Sequence, residues 1–199
     1  MTHNHIPLAA ASGLLAVITL STVGAIATQP KGTTSSTPSD AIAQSSSPQD
    51  RVTSTPARCQ TSQLSVRQVS SDAGVGNRAI IYAFTNTSSS ACTLYGYPKF
   101  ELLNADGQPI KEVRVTRSQT TYFHKTQPHL VTLAPTAQAS FEIAYNVIPD
   151  GQTCVKVDKV KITPPNADRF LTLTEQFTPC GNPRARIKIT PVEAGNIQQ

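Results

Sequence analysis

The chain has 199 residues, 10 glycines, 15 prolines, no tryptophan and a net charge of +5. This length leaves room for one ordinary domain with appendages, and the composition excludes a collagen-like or globally disordered chain. The charge gives a mild preference for anionic surfaces but falls well short of the clustered basic footprint of a nucleic-acid-binding protein.

The N-terminus, residues 1–27, is predicted to be a signal peptide. Residues 8–27 carry no charge and end in Ala25-Ile26-Ala27, with small residues where a signal peptidase reads the chain. The run is long enough to span a bilayer, so an uncleaved membrane anchor through residues 8–27 is the alternative. The predicted location is therefore secreted or in the cell envelope or periplasm, with membrane contact only if the segment is not cleaved.

Residues 28–57 are dominated by Ser, Thr, Pro and Gln, with Ile42 and Val52 almost alone as sizeable apolar side chains. Such a stretch buries too little surface to offset its ordering entropy. We therefore predict a disordered linker over 28–57, followed by one folded domain over 58–199.

All four cysteines, at 59, 92, 154 and 180, lie in the predicted domain. An even number in an exported chain indicates disulfides. Of the three pairings we favour Cys59–Cys92 and Cys154–Cys180, since neighbours along the chain close the shorter loops. A zinc site is the competing interpretation, although no C-x2-C or C-x2-H spacing is present.

The domain shows the two-residue period of β-strands in many short segments and no convincing helical period. The clearest alternation sets Phe141, Ile143 and Tyr145 against the polar Ser140 and Glu142. Other predicted strands hold Ile80 to Phe84, Leu94 to Leu102, Val113 with Val115, Val155 to Ile162, Leu171 with Leu173, and Ile187 with Ile189.

Turn signals separate these strands. The stretch Asn104-Ala105-Asp106-Gly107 is predicted to reverse the chain into a return strand through Val113 and Val115, and a change of phase near Asp158-Lys159 indicates a bulge. Seven or eight short strands indicate an all-β, antiparallel sandwich, with a small barrel as the alternative.

Motifs for catalysis, metal binding and cofactor binding are absent from the sequence. There is no Gly-x-Ser-x-Gly elbow, His-Glu-x-x-His helix or phosphate-binding glycine loop. His124 and His129, five apart on an extended segment, are predicted to point to opposite faces. We therefore expect no cofactor and no metal, and we expect that the protein is not an enzyme.

One stretch, residues 111–129, mixes cations with aromatic residues between strands, where loops often carry function. It is predicted to contact an anionic or carbohydrate polymer of the envelope, or a protein partner. The alternative is a solvated strand face followed by a loop whose aromatic residues pack against the sandwich. The candidate contact residues are Lys111, Arg114, Arg117, Tyr122, Phe123, His124 and Lys125.

Several motifs resemble a known family. They are the Asn-Thr-Ser-Ser-Ser-Ala-Cys-Thr-Leu run over 86–94 followed by Gly96-Tyr97-Pro98, Leu133-Ala134-Pro135, Pro164-Pro165, and the four cysteines. Over residues 59–192 the chain resembles the secreted bacterial family catalogued as domain of unknown function 4232, most frequent in actinobacteria. The resemblance implies an immunoglobulin-like sandwich and no known activity. We therefore predict an exported, non-catalytic binding or interaction module of unknown ligand. The alternative is a secreted protein-interaction or inhibitor module, and an enzyme is the less favoured possibility.

Overall fold

The computed structural model describes residues 55–197, which belong to a compact unit over Arg51–Gln199. The predicted signal peptide and nearly all of the predicted linker lie outside the described residues. The last linker residues, 56 and 57, run beside the strand that holds Thr93, whose amide donates to the Ala57 carbonyl at 2.9 Å.

The described part is built from β-strands, with a single short 3-10 turn at Thr61–Gln63. The strands, numbered in chain order, are β1 Leu64–Gly74, β2 Asn77–Asn86, β3 Cys92–Tyr95, β4 Lys99–Leu103, β5 Arg114–Arg117, β6 Leu130–Leu133, β7 Gln138–Asn146, β8 Thr153–Cys154, β9 Val157–Thr163, β10 Leu171–Phe177, β11 Cys180–Gly181, β12 Arg186–Ile189 and β13 Glu193–Ala194.

Eight of these strands form one large sheet centred on β7. On one side β7 pairs with β2, which pairs with β1; on the other side it pairs in turn with β11, β12 and β13. β8 extends the sheet beyond β11, and β5 pairs with β12. All the strand pairs are antiparallel except β5 with β12, which is parallel.

The second layer consists of a three-stranded sheet, β10-β9-β4, and a two-stranded ribbon, β3-β6. Apolar side chains of both layers meet in one core, where the Tyr82 and Phe100 rings lie 5.8 Å apart and Phe141 stacks against Phe84. The predicted all-β, immunoglobulin-like sandwich is confirmed. Because the sheets keep open edges, the barrel alternative is wrong.

Both predicted disulfides are present. Cys59–Cys92 ties the chain entering the domain to β3, and Cys154–Cys180 joins directly opposed residues of β8 and β11. Neither bridge crosses the core between the layers, unlike the inter-sheet disulfide of antibody domains. The two bridges indicate an oxidising, extracytoplasmic location. Within residues 55–197, no helix has the length and hydrophobicity needed to cross a membrane.

Three strand predictions differ from the structure. The predicted strand Leu94 to Leu102 is interrupted at 96–98, because Gly96 takes a φ of +88° and turns the chain from the ribbon into the three-stranded sheet. The turn at 104–107 is present, but β5 crosses to the large sheet instead of pairing with β4. The bulge opposite Asp158 lies in β10, between Thr174 and Phe177.

Candidate ligand-binding site

The seven predicted contact residues lie in two different places. Arg114 and Arg117 are the first and last residues of strand β5, and Lys111 is exposed in the segment just before the strand. The Arg117 guanidinium lies over the Tyr97 ring, 5.7 Å from its centre. Tyr122, Phe123, His124 and Lys125 instead belong to the loop 118–127, here called the covering loop, which lies on the outer face of the large sheet. The seven residues therefore belong to two separate elements of the fold.

A buried carboxylate anchors the covering loop. The Thr121 hydroxyl donates to Glu142 Oε1 on β7 at 2.5 Å, and the same hydroxyl oxygen accepts the amides of Phe123 and His124 at 3.1 and 3.0 Å. Glu142 is fully buried, and its own amide donates to the Thr190 hydroxyl at 2.8 Å. A hydrogen bond in a dry site is electrostatically stronger than one in water, so this contact holds the loop in place.

Phe123 and His124 also make contacts within the protein. Phe123 packs on a second, smaller core around Ile81 and Ile197 on the outer face. His124 Nε2 lies 2.9 Å from Glu193 Oε1, close enough for an ion pair but without hydrogen-bond geometry. Tyr122, in contrast, is 60% exposed, with its ring near Gly74. Of the aromatic residues in this loop, Tyr122 is therefore the most accessible to a ligand.

Beside Tyr122 the outer face of the large sheet holds an open cleft of about 550 Å³, here called the outer-face cleft. Strand register explains which residues face it. Lys188 lies opposite Ala144, and Asn77 lies opposite Asn146, so these side chains share one face. The polar residues that line the cleft are Asn77, Thr121, Tyr122, Asn146, Gln152, Asn182, Arg186 and Lys188. Tyr145 also borders it, although its side chain belongs to the core face.

The outer-face cleft is cationic. Arg186 and Lys188 line it, and among the described residues of the lining there is no carboxylate. Arg114 lies opposite Arg186 on the neighbouring strand and extends the cationic row. Sequence reasoning missed Arg186 and Lys188, although they alternate with Ile187 and Ile189. Since the two isoleucines face the core, the two cations necessarily face outward.

A second group of titratable side chains lies inside the sandwich. The Tyr82 hydroxyl is buried and has no hydrogen-bond partner among residues 55–197, and burial raises its pKa far above the ordinary value of 10. Burial also raises the pKa of Tyr145 to about 12 and, by desolvation, the pKa of Glu175. Within the described residues no group of three or more His, Cys, Asp or Glu side chains is placed to hold a metal ion.

Residues 59–193 match the family model described as "Domain of unknown function (DUF4232)". This chain belongs to that family. No curated protein matches the chain, and no solved structure matches it. The DUF4232 region begins at the first bridged cysteine and ends in β13, so it includes the covering loop and every residue that lines the outer-face cleft.

Proposed function

We propose that this DUF4232 protein is an exported, non-catalytic binding module, and that its outer-face cleft takes an anionic carbohydrate polymer of the cell envelope. The observation that carries the proposal is the lining of the cleft. Two cations, an exposed tyrosine and several side-chain amides face one open groove. An open groove admits one part of a longer polymer.

Each group in the lining matches one part of such a ligand. The Arg186 guanidinium suits a carboxylate or phosphate because its planar N–H donors can bind two oxygens at once, and Lys188 adds a point charge. The amides of Asn146 and Asn182 both donate and accept hydrogen bonds, as sugar hydroxyls require. The exposed Tyr122 ring offers an apolar surface, and its hydroxyl offers a polar tip.

The same lining supports a role in binding over one in catalysis. A general acid or base is most often a His or a carboxylate. Among the described residues that line the outer-face cleft, none is of these types.

Export is supported by the two disulfides, which persist in oxidising compartments, and by the apolar N-terminal run.

Binding to defined polymers tests the proposal. The full chain would be applied to immobilised polygalacturonate, to neutral dextran and to a wall fraction from the producing cells. We expect retention on polygalacturonate and on the wall that weakens as salt rises, because salt screens exposed charge pairs. The variant Arg186→Gln/Lys188→Gln is expected to bind at least about tenfold more weakly, since both charge-assisted contacts are lost.

Two further variants make the test specific. Lys99→Gln/Arg169→Gln removes the same two charges from exposed positions away from the cleft and should bind as the parent does. Lys111→Gln/Arg114→Gln/Arg117→Gln/Lys125→Gln tests the sequence-based contact group separately. Equal loss in Arg186→Gln/Lys188→Gln and in Lys99→Gln/Arg169→Gln would show that the cleft is not the binding site. Retention on dextran as strong as on polygalacturonate would show that the ligand need not be anionic.

A further inference from the structure

A second surface, on the opposite layer, exposes apolar side chains. In the β3-β6 ribbon Tyr95 lies directly opposite Leu130, and their exposures are 52% and 54%. The preceding pair, Leu94 and Val131, is buried in the core. The ribbon therefore ends in an apolar cross-strand pair that faces solvent, although such pairs usually stabilise sheets by burying their contact.

The backbone beneath Tyr95 is held from several sides. Asn166, in the left-handed region with a φ of +61°, donates its side-chain amide to the Tyr95 carbonyl at 3.2 Å. The next carbonyl, that of Gly96, accepts the amide of Val192 at 2.9 Å. At the other end of β3 the Cys59–Cys92 bridge fixes the strand. A surface fixed in this way loses little conformational entropy when a partner binds.

Two recesses flank Tyr95, and each contains one arginine. The first, of about 290 Å³, is lined by Arg58 and Leu130, and the second, of about 240 Å³, by Arg117 and Tyr97. Neither recess has a carboxylate among the described residues that line it. A guanidinium over an aromatic face keeps its in-plane N–H donors available for an acidic group. The surface is therefore complementary to a partner that carries negative charge.

The polar groups here differ from those of the outer-face cleft. The Thr93 hydroxyl donates towards the carbonyls of Pro56 and Ala57, and the Asn166 side-chain amide donates to the Tyr95 carbonyl. These groups are therefore already hydrogen-bonded within the protein. A saccharide would therefore find few donors and acceptors for its hydroxyls. Tyrosine and arginine around an apolar centre are instead the composition of protein interfaces, in which lysine and carboxylates are depleted.

We infer that this surface, consisting of Arg58, Tyr95, Tyr97, Arg117, Leu130 and Asn166, docks an extended acidic segment of a partner protein. The segment places an apolar side chain on the Tyr95–Leu130 pair and its carboxylates on Arg58 and Arg117. This interaction is separate from the polymer binding proposed for the outer-face cleft, so the protein would link an envelope polymer to a second protein.

Selection from a random twelve-residue peptide library displayed on phage, with the full oxidised chain as target, tests the inference. We expect the enriched peptides to place Asp or Glu on both sides of a Leu, Ile, Phe, Tyr or Trp. Synthetic copies should bind Tyr95→Ala/Leu130→Ala and Arg58→Gln/Arg117→Gln at least about tenfold more weakly than the parent. Arg186→Gln/Lys188→Gln, with the same change in charge, should bind within about twofold.

Enrichment of basic or uncharged peptides, no enrichment at all, or binding that survives in the surface variants would overturn the inference. The same two surface variants are also assayed on polygalacturonate. If they lose retention there while the peptides bind unchanged, the surface is a saccharide site and the inference is wrong. All variants are compared by urea unfolding, and Tyr95→Phe, which keeps the ring, should bind the peptides as the parent does.

Discussion

At the scale of single residues, two glutamates lie in very different surroundings. Glu142 is fully buried on the outer face of the large sheet and accepts the Thr121 hydroxyl. Glu175 points from β10 towards Tyr82 and Tyr145, and desolvation raises its pKa. The Glu142 side chain holds a loop in place, and the surroundings of Glu175 disfavour its charged form.

The raised pKa of Glu175 predicts a pH dependence of stability. The folded state binds this proton more tightly than the unfolded state, so the free energy of unfolding contributed by Glu175 is highest below the ordinary pKa of 4.5 and falls as pH rises through the folded pKa. We expect Glu175→Gln to flatten this part of the stability profile and to raise stability at neutral pH. Urea unfolding measured from pH 4 to pH 7, at steps of about half a unit, checks this.

Glu101→Gln, on an exposed position of β4 in the same sheet, controls for the change in net charge. If both substitutions alter the profile equally, local desolvation of Glu175 is not the cause.

At the scale of elements, the β1-β2 hairpin has an unfavourable turn residue. Gly74 pairs with Asn77, so the loop is only Val75-Gly76, and both residues have positive φ, +46° and +75°. This is the type I′ arrangement, for which Asn-Gly is preferred. A β-branched residue is strained in the left-handed region, and Val75 recovers little of that cost because it is 82% exposed.

We expect Val75→Asn to raise the free energy of unfolding by about 1 kcal/mol, because Asn tolerates positive φ. The unfolding midpoint in urea should rise with no change in slope. Val75→Ala serves as the control, since it removes the exposed methyl groups but keeps a residue that disfavours this region. An Asn variant no more stable than the Ala variant would contradict the prediction.

Strand β7 shows why the position of the covering loop could not be predicted from the sequence. Its two-residue period correctly places Phe141, Ile143 and Tyr145 on the core face. The polar Ser140 and Glu142 are also fully buried, because the covering loop and the segment after β13 lie over them. The two-residue period of a strand shows which of its faces is apolar and packs in the core. It does not show that a distant segment of the chain covers the other face, because that segment leaves no signal in the sequence of the strand itself.

At the scale of the whole molecule, two bridges close loops of 33 and 26 residues. In the chain-entropy model each contributes about 3–4 kcal/mol. Their accessibility differs, since Cys59 and Cys92 are both buried, whereas Cys154 is exposed on the short edge strand β8. A reductant in water therefore reaches one bridge more easily than the other.

We predict that mild reduction of the folded protein opens Cys154–Cys180 before Cys59–Cys92, because thiol exchange needs access to a sulfur. Alkylation of the freed thiols, followed by peptide mass spectrometry over a time course, identifies the order. Simultaneous reduction of the two bridges in folded protein would show that exposure does not control it. Reduction after unfolding in urea, where both bridges are accessible, gives the reference rates.

Local sequence patterns were sufficient to predict the fold class of this protein. Two-residue periodicity and turn residues are local properties, so they predicted an all-β sandwich, and the order of the cysteines was enough to favour the correct pairing. The family was also evident, because its motifs are contiguous. Which residues lie side by side on the surface, in contrast, follows from the folded arrangement of the strands.

Strand order and register bring Arg186 and Lys188 next to Tyr122, and they move Arg117 away to Tyr97 on the other layer. The residues that meet in each place lie far apart along the chain, and the parallel pairing that brings β5 alongside β12 leaves no signal in the local sequence pattern. A binding surface depends on long-range packing, and packing is a property of the whole fold rather than of any segment.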